Sequence, residues 1–470
     1  MRVSGLFNRS YSLYVRDNET LRMLDVIVLS AATGMFLFAA TGGAAFTGLA
    51  SALGAGEFAF GLISALPVLA GILQILASYL VEKTGRNKTI FMAGGVIQRV
   101  SWFAVAFIPY LFPGVQPRVL ALIVLVTLAA MSGSFVGVTH MLLMAAVIPM
   151  DIRGRYITTR QRVSTLVSLI AGLWFAYILD HMPGFSGYTV VFAVGGVAGL
   201  ADILMYARYK FPAAARSAGA SPFRKTLREC FTAPKTRDYM LFWIFWSFAN
   251  QICSPFFNKY AIDVLGLSFI SIILLGQVTS NVLSLLVVSR WGVFIDRYGS
   301  APLLLISIGI SSLGILVWLP AVPGGALPLF LFNFIGGVFW CANDACMVNM
   351  QFSHTPETGR AAALAVYAVV TSLSTAAALI TGGAVLEALA PVMRGLALTV
   401  FGTPFDHYKL LFTCALVLRV AVLAVFLPRV WNEKGFPTLR GAYGEAFGQT
   451  RARARDFLTL VRSARLRRRK

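Results

Sequence analysis

The residues best equipped for chemistry in this chain are few, and they interrupt long apolar runs. Asp344, with Asn343 beside it and Asn333 earlier in the same run, lies in 326–352. A carboxylate there can bind a cation or exchange a proton, or it can be held neutral by burial or by an internal ion pair. Arg99 follows Gln98 near the middle of 89–112. No polar surface is within its reach, so its guanidinium needs an acid, carbonyls, water or an anionic solute. It reads either as a fork for an oxyanion or as a structural pairing inside one helical bundle. His140, in 119–148, is either a group that titrates near neutrality or a hydrogen-bonded structural ring. Asn250 in 239–262, and Gln277 and Asn281 in 268–295, add neutral hydrogen-bonding groups. The last two are four residues apart and share one helical face.

A second set of residues closes the runs. Ser78, Glu82, Lys83, Gly85 and Arg86 end one, and Gly292, Asp296, Arg297 and Gly299 end another. The offset is constant (296 − 82 and 299 − 85 both equal 214). A charged hinge repeated half a chain apart implies two copies of one unit. Arg155 and Arg360, each next to a glycine, precede the runs 157–180 and 361–389. Helix N-termini carry partial positive charge and unpaired N–H groups. Glu82 is therefore expected on the start of the 361–389 helix with Arg360, and Asp296 on the start of the 157–180 helix with Arg155. Such latches would lock one side and break when the halves rock apart.

The elements that position these groups follow from composition. Of 470 residues 58% are hydrophobic and 13% charged, with mean hydropathy +0.76. A soluble domain has about 25% charged residues, so this chain belongs in a bilayer. Twelve spans are predicted at 23–50, 57–81, 89–112, 119–148, 157–180, 187–209, 239–262, 268–295, 301–320, 326–352, 361–389 and 408–428. They are numbered 1 to 12 here. A basic stretch, 211–238, separates six from six. The expected organisation is an N-terminal segment 1–22, bundles 23–210 and 239–430, the linker 211–238 and a basic tail 431–470. The N-terminal arginines precede any apolar run, so no cleaved signal peptide is expected.

Arginine and lysine gather before span 1, after spans 2 and 4 (Arg153, Arg155, Arg160, Arg162), in the linker and in the tail. Arg118, Lys259, Arg394 and Lys409 fall on the other side. The positive-inside rule puts both termini in the cytoplasm, and it makes the net charge of +21 a topology signal with no nucleic-acid partner implied. The tail, with nonpolar residues among its cations, suits anionic lipid headgroups. Five scattered cysteines and four histidines form no metal or disulfide pattern, so no metal or cofactor is expected.

The span count, the central basic loop and the repeated hinge resemble the major facilitator superfamily. Its motif reads Gly, three residues, Asp, a base, one residue, Gly and two bases. The first copy here has Ser78 for Gly and Glu82 for Asp, then Lys83, Gly85 and Arg86, with Asn87 before Lys88. The second keeps Gly292, Asp296, Arg297 and Gly299 but ends in Ser300 and Ala301. The resemblance implies an all-α polytopic fold of two pseudo-symmetric six-helix bundles. It also implies a central cavity lined mainly by spans 1, 4, 7 and 10, and alternating access; with no catalytic constellation in the sequence, no enzymatic activity is expected. The arginine motif of span 4 is missing from 131–137, and the proline motif of span 5 from 167–174, which lowers a drug-antiporter reading. The expected function is secondary active transport of a small organic solute, proton-coupled, by a monomer in a bacterial inner membrane. The alternatives are an antiporter for drug-like or lipid-like amphiphiles and a transport-inactive receptor or scaffold. No Walker-type phosphate loop and no histidine pair at metalloprotease spacing is present.

Overall fold

The computed structural model describes residues 18–209, 211, 223–354, 360–396, 398–400 and 402–430. The fold is almost entirely helical. Among the described residues ten helices are long and apolar enough to cross a membrane. The other two expected spans are helical as well: span 3 runs Asn87–Val105, and span 7 is split into Pro234–Gln251 and Phe256–Asp263. Both carry too much polarity or too short an unbroken helix to stand out by hydropathy. The amphipathic linker contributes a further short helix, Phe223–Thr232. A two-residue hairpin pairs Thr399–Val400 with Thr403–Pro404 before span 12, an element absent from the all-helical expectation.

Several spans bend at sequence-marked places. Span 1 breaks between Asn18–Thr41 and Gly43–Ala52. Span 2 tightens into a 3₁₀ turn at Gly71–Leu73, just after Pro67. Span 7 breaks because Pro255 has no N–H to continue the ladder. Span 8 contains a π-helical stretch, Ile273–Val278, between Phe269–Ile272 and Thr279–Tyr298. The two hinge glycines stop their helices in positive-φ conformations, Gly85 at φ 64° and Gly299 at φ 83°, which glycine adopts without steric cost.

One end of the molecule holds the turns at 84–87, 147–153 and 298–300 and is called the basic end; the other is the far end. The cores differ between them. At the far end one apolar cluster is shared by both halves, joining Phe60, Phe175 and Phe192 to Phe256, Trp318 and Phe412. Toward the basic end the clusters are separate. One contains only first-half residues such as Leu24, Phe91 and Tyr156. The other joins second-half residues such as Tyr239, Trp243 and Tyr367 to Cys230 of the linker helix. Two rods joined by a common core at one end and independently packed at the other form a cleft that opens at the second end.

The shared end is tight at the backbone. A Cβ on Gly61 of span 2 would lie 2.5 Å from the Leu379 carbonyl of span 11. One on Gly383 would lie 2.6 Å from the Glu57 carbonyl. Only glycine permits this approach of spans 2 and 11.

Candidate functional site

The cleft between the halves holds a cavity of about 380 Å³. Span 1 contributes Phe38 to Ala45, span 5 Ser168 and Gly172, span 7 Asn258, span 8 Gly276 to Asn281, and span 10 Asn333. Gln277 and Asn281 both face it, as their spacing requires. The π-helical stretch of span 8 carries Gly276 and Gln277, and such stretches concentrate at functional sites. Ser280 donates to the Asn333 backbone oxygen at 3.0 Å and contacts Asn333 Oδ1 at 3.2 Å; Asn333 Nδ2 donates to the Leu329 carbonyl at 2.9 Å. The polar part of the wall is thus amide and hydroxyl, without a charge, set among apolar residues such as Phe38, Leu179, Phe269 and Ile272.

A neighbouring pocket in the second half contains Asn250, Asn258, Asn333, Trp340, Asp344 and Arg419. Asp344 is exposed to it and forms no ion pair among the described residues. Asn343 points elsewhere: it is buried, 4% exposed, and lines none of these cavities. One residue's difference is about 100° around a helix, so adjacency in sequence separates the two. Arg419 is held inside the second half. It is 2% exposed, and its guanidinium donates toward the Ala249 and Asn250 carbonyls at 3.4 and 3.2 Å, where the break in span 7 leaves carbonyls without helical donors.

The first half has its own pocket, of about 270 Å³. Arg99 pairs with Asp202 of span 6 at 2.8 Å and also bonds Gln98. Asp202 accepts a hydrogen bond from Ser30, whose hydroxyl lies 2.9 Å from that of Tyr206. His140 lies 3.5 Å from the Tyr206 hydroxyl and stacks on Phe91. Arg99 therefore has its acid within its own bundle, on span 6. Arg160 also lines this pocket. Span 5 begins at Arg153, four residues before its expected start, which puts Arg160 about two turns inside the helix.

At the basic end Glu82, Lys83, Arg86, Asp296, Arg297 and Arg155 are exposed. Neither Glu82 nor Asp296 enters an ion pair among the described residues, and the side chain of Arg360 lies outside them. The expected Asp296–Arg155 pair is absent among the described residues, and the side chains expected to receive Glu82, at the start of span 11, lie outside them. The mirror-image latches are formed at the far end. Asp180, closing span 5, accepts from Phe269 N and Ile270 N at the start of span 8, at 2.8 and 2.9 Å. Glu387, closing span 11, accepts from Phe58 N at the start of span 2 at 2.9 Å. The same helix pairs are used with carboxylates on helix N-termini, but at the opposite end. Lys259 reinforces this closure, 3.1 Å from Glu57 and 2.7 Å from Asp263, while Ser51 donates to Asp263 and Tyr408 to Glu57.

Comparison with known proteins agrees with this architecture. The model of the Major Facilitator Superfamily matches residues 27–291, more than half the chain. The chain belongs to that superfamily. Among solved structures it is similar to a mutant of the nucleoside transporter NupG (TM-score 0.67, 14% identity, covering 87% of this chain and 99% of that one). It is also similar to a D-xylose-proton symporter (0.64, 15%, 88% and 100%). A third is a bacterial homologue of the human lysosomal transporter Spinster in an inward-facing, unoccupied conformation (0.62, 12%, 88% and 98%). At these identities the likeness is one of fold. No curated protein matches the sequence. The protein is a multi-pass membrane transporter by fold and family.

Proposed function

We propose that this protein is a secondary active transporter that carries a small polar organic solute by alternating access. The basic end is the cytoplasmic one, so the conformation described is open to the cytoplasm and latched on the other side. The observation that supports the reading best is a cavity carrying four amide side chains between two halves that share apolar clusters at the far end and between spans 2 and 11, and are packed separately toward the basic end. Its four amide side chains, Asn258, Gln277, Asn281 and Asn333, all belong to the second half. The first half faces them with the bend of span 1 and with Ser168 and Gly172 of span 5. Rocking one half against the other then makes or breaks the ring of contacts around a bound solute.

In this reading Asp344 is the acid that couples solute to protons, since it faces the second-half pocket without a cationic partner within ion-pairing distance among the described residues. Glu82 and Asp296 latch the cytoplasmic side in the opposite state, in which the far-end contacts of Asp180 and Glu387 are released. The amides and hydroxyls of the wall give a solute hydrogen-bonding partners, and the apolar residues between them suit its carbon skeleton. Purified protein in proteoliposomes with an imposed pH gradient tests this: accumulation of a small polar solute, abolished by Gln277→Ala and Asn281→Ala together, is expected. Absence of solute-dependent flux across a broad panel of small polar compounds would return the protein to the receptor or scaffold class.

A further inference from the structure

The first-half pocket contains more positive charge than the fold needs. Two guanidinium groups, Arg99 and Arg160, line it, and Asp202 is its one carboxylate. Asp202 is fully engaged, by Arg99 and by Ser30. The other polar side chains are Gln98, Thr41, His140 and Tyr206, none of them acidic. Arg160 makes no ion pair among the described residues, and its Nε is buried without a hydrogen-bond partner; the same holds for Nε of Arg99. At about 1.5 Å per residue, Arg160 stands about 10 Å along span 5 from Arg153, and Arg99 about 18 Å along span 3 from Asn87. The two cations therefore form steps from the basic end toward the middle of the molecule. Phe38 lines both this pocket and the amide cavity, so the two spaces are adjacent.

An arginine held at this depth without an acid is costly, and a guanidinium fork matches the geometry of a carboxylate or phosphate. The pocket's volume is roughly that of nine waters at about 30 Å³ each, enough for a small oxyanion group. We propose that the solute carries an oxyanion, and that Arg160, backed by the Arg99–Asp202 pair, receives it while the amides of span 8 and Asn333 hold the hydroxyl-bearing remainder. This rests on the transporter reading and narrows it to organic acids or phosphorylated compounds. The competing role for Arg160 is a purely mechanical one, waiting for Asp296 in the other conformation.

The test uses purified full-length protein with inorganic phosphate, pyruvate and gluconate as probes, with D-glucitol as the neutral control, all at constant ionic strength. Thermal stabilisation reports binding. At least one oxyanion is expected to stabilise the wild type more than glucitol does. Arg160→Gln should weaken that binding roughly 10- to 100-fold, as loss of a charged hydrogen-bonded contact does. Arg160→Lys should fall between, and Arg162→Gln, exposed on the same helix and outside the pocket lining, should leave it within about twofold. The proposal fails if no oxyanion stabilises the wild type, or if Arg162→Gln matches Arg160→Gln, which is the signature of diffuse charge. Melting of each variant without ligand separates misfolding from lost binding. Flux distinguishes the two levels. Arg160-dependent binding of an anion that is never transported leaves the site standing and sinks the transporter reading. Transport of a neutral solute at undiminished rate in Arg160→Gln does the reverse.

Discussion

Neutralising the two far-end carboxylates should open the side they close. Asp180 satisfies two N–H groups at the start of span 8, and Glu387 one at the start of span 2. The N-cap of the span 2 helix is Gly56, which has no side chain to offer. A carboxylate at such a position contributes about 1 kcal/mol, from the cap hydrogen bond and from the helix dipole together. The two sites sit on different helix pairs, so their effects should add to about 2 kcal/mol in Asp180→Asn/Glu387→Gln. At about 1.4 kcal/mol per tenfold, the ratio of far-end-closed to far-end-open molecules should drop by about 30-fold. Spin labels at Gln116 of the first half and Val322 of the second, both exposed at the far end, would report it as a second, longer distance population. The single variants should each give about a fivefold shift, diminishing in high salt because the carboxylates are exposed. A double variant whose distance distribution matches the parent would refute the reasoning, and would assign closure to the shared apolar core alone.

Four further outcomes follow from the same geometry. Gly383→Leu cannot fit against the Glu57 carbonyl and Phe58, so it should hold the far end open and leave the protein folded, read with the same labels. Arg99→Met alone should destabilise the fold by about 3–5 kcal/mol in thermal unfolding, because it strands Asp202 in the bundle; Arg99→Met with Asp202→Leu should recover most of that loss. Asp344→Asn should abolish uptake driven by a pH gradient while sparing solute exchange without a gradient; unchanged gradient-driven uptake would remove Asp344 from coupling. Lys259→Met should weaken far-end closure by more than either carboxylate variant, since it leaves Glu57 and Asp263 without their shared cation.

Much of the architecture is legible in the sequence because a bilayer makes it so. Unpaired backbone groups are intolerable in hydrocarbon, so apolar runs of sufficient length must be helices, and the loops between them are short. The repeated hinge discloses two like halves, and the four-residue spacing of Gln277 and Asn281 places both on the cavity wall. What escapes a sequence reading is rotation and depth. Asn343 and Asp344 look equivalent in sequence and face different surroundings. Arg160 reads as one more topology charge when the start of span 5 is set four residues late. Asn258 is hidden by the break at Pro255, which joins two short helices into one span.

The sequence by itself indicated an all-helical membrane protein of the major facilitator type, with a charged hinge repeated half a chain apart. Hydrophobic length and local charge suffice for that, since each is a property of a contiguous segment. Only the tertiary structure decided which end is shut. The contacts that shut it join residues far apart in sequence: spans 2 with 11 and 5 with 8 bring Glu387 and Asp180 onto helix N-termini at the far end, while Glu82 and Asp296 stand exposed at the basic end.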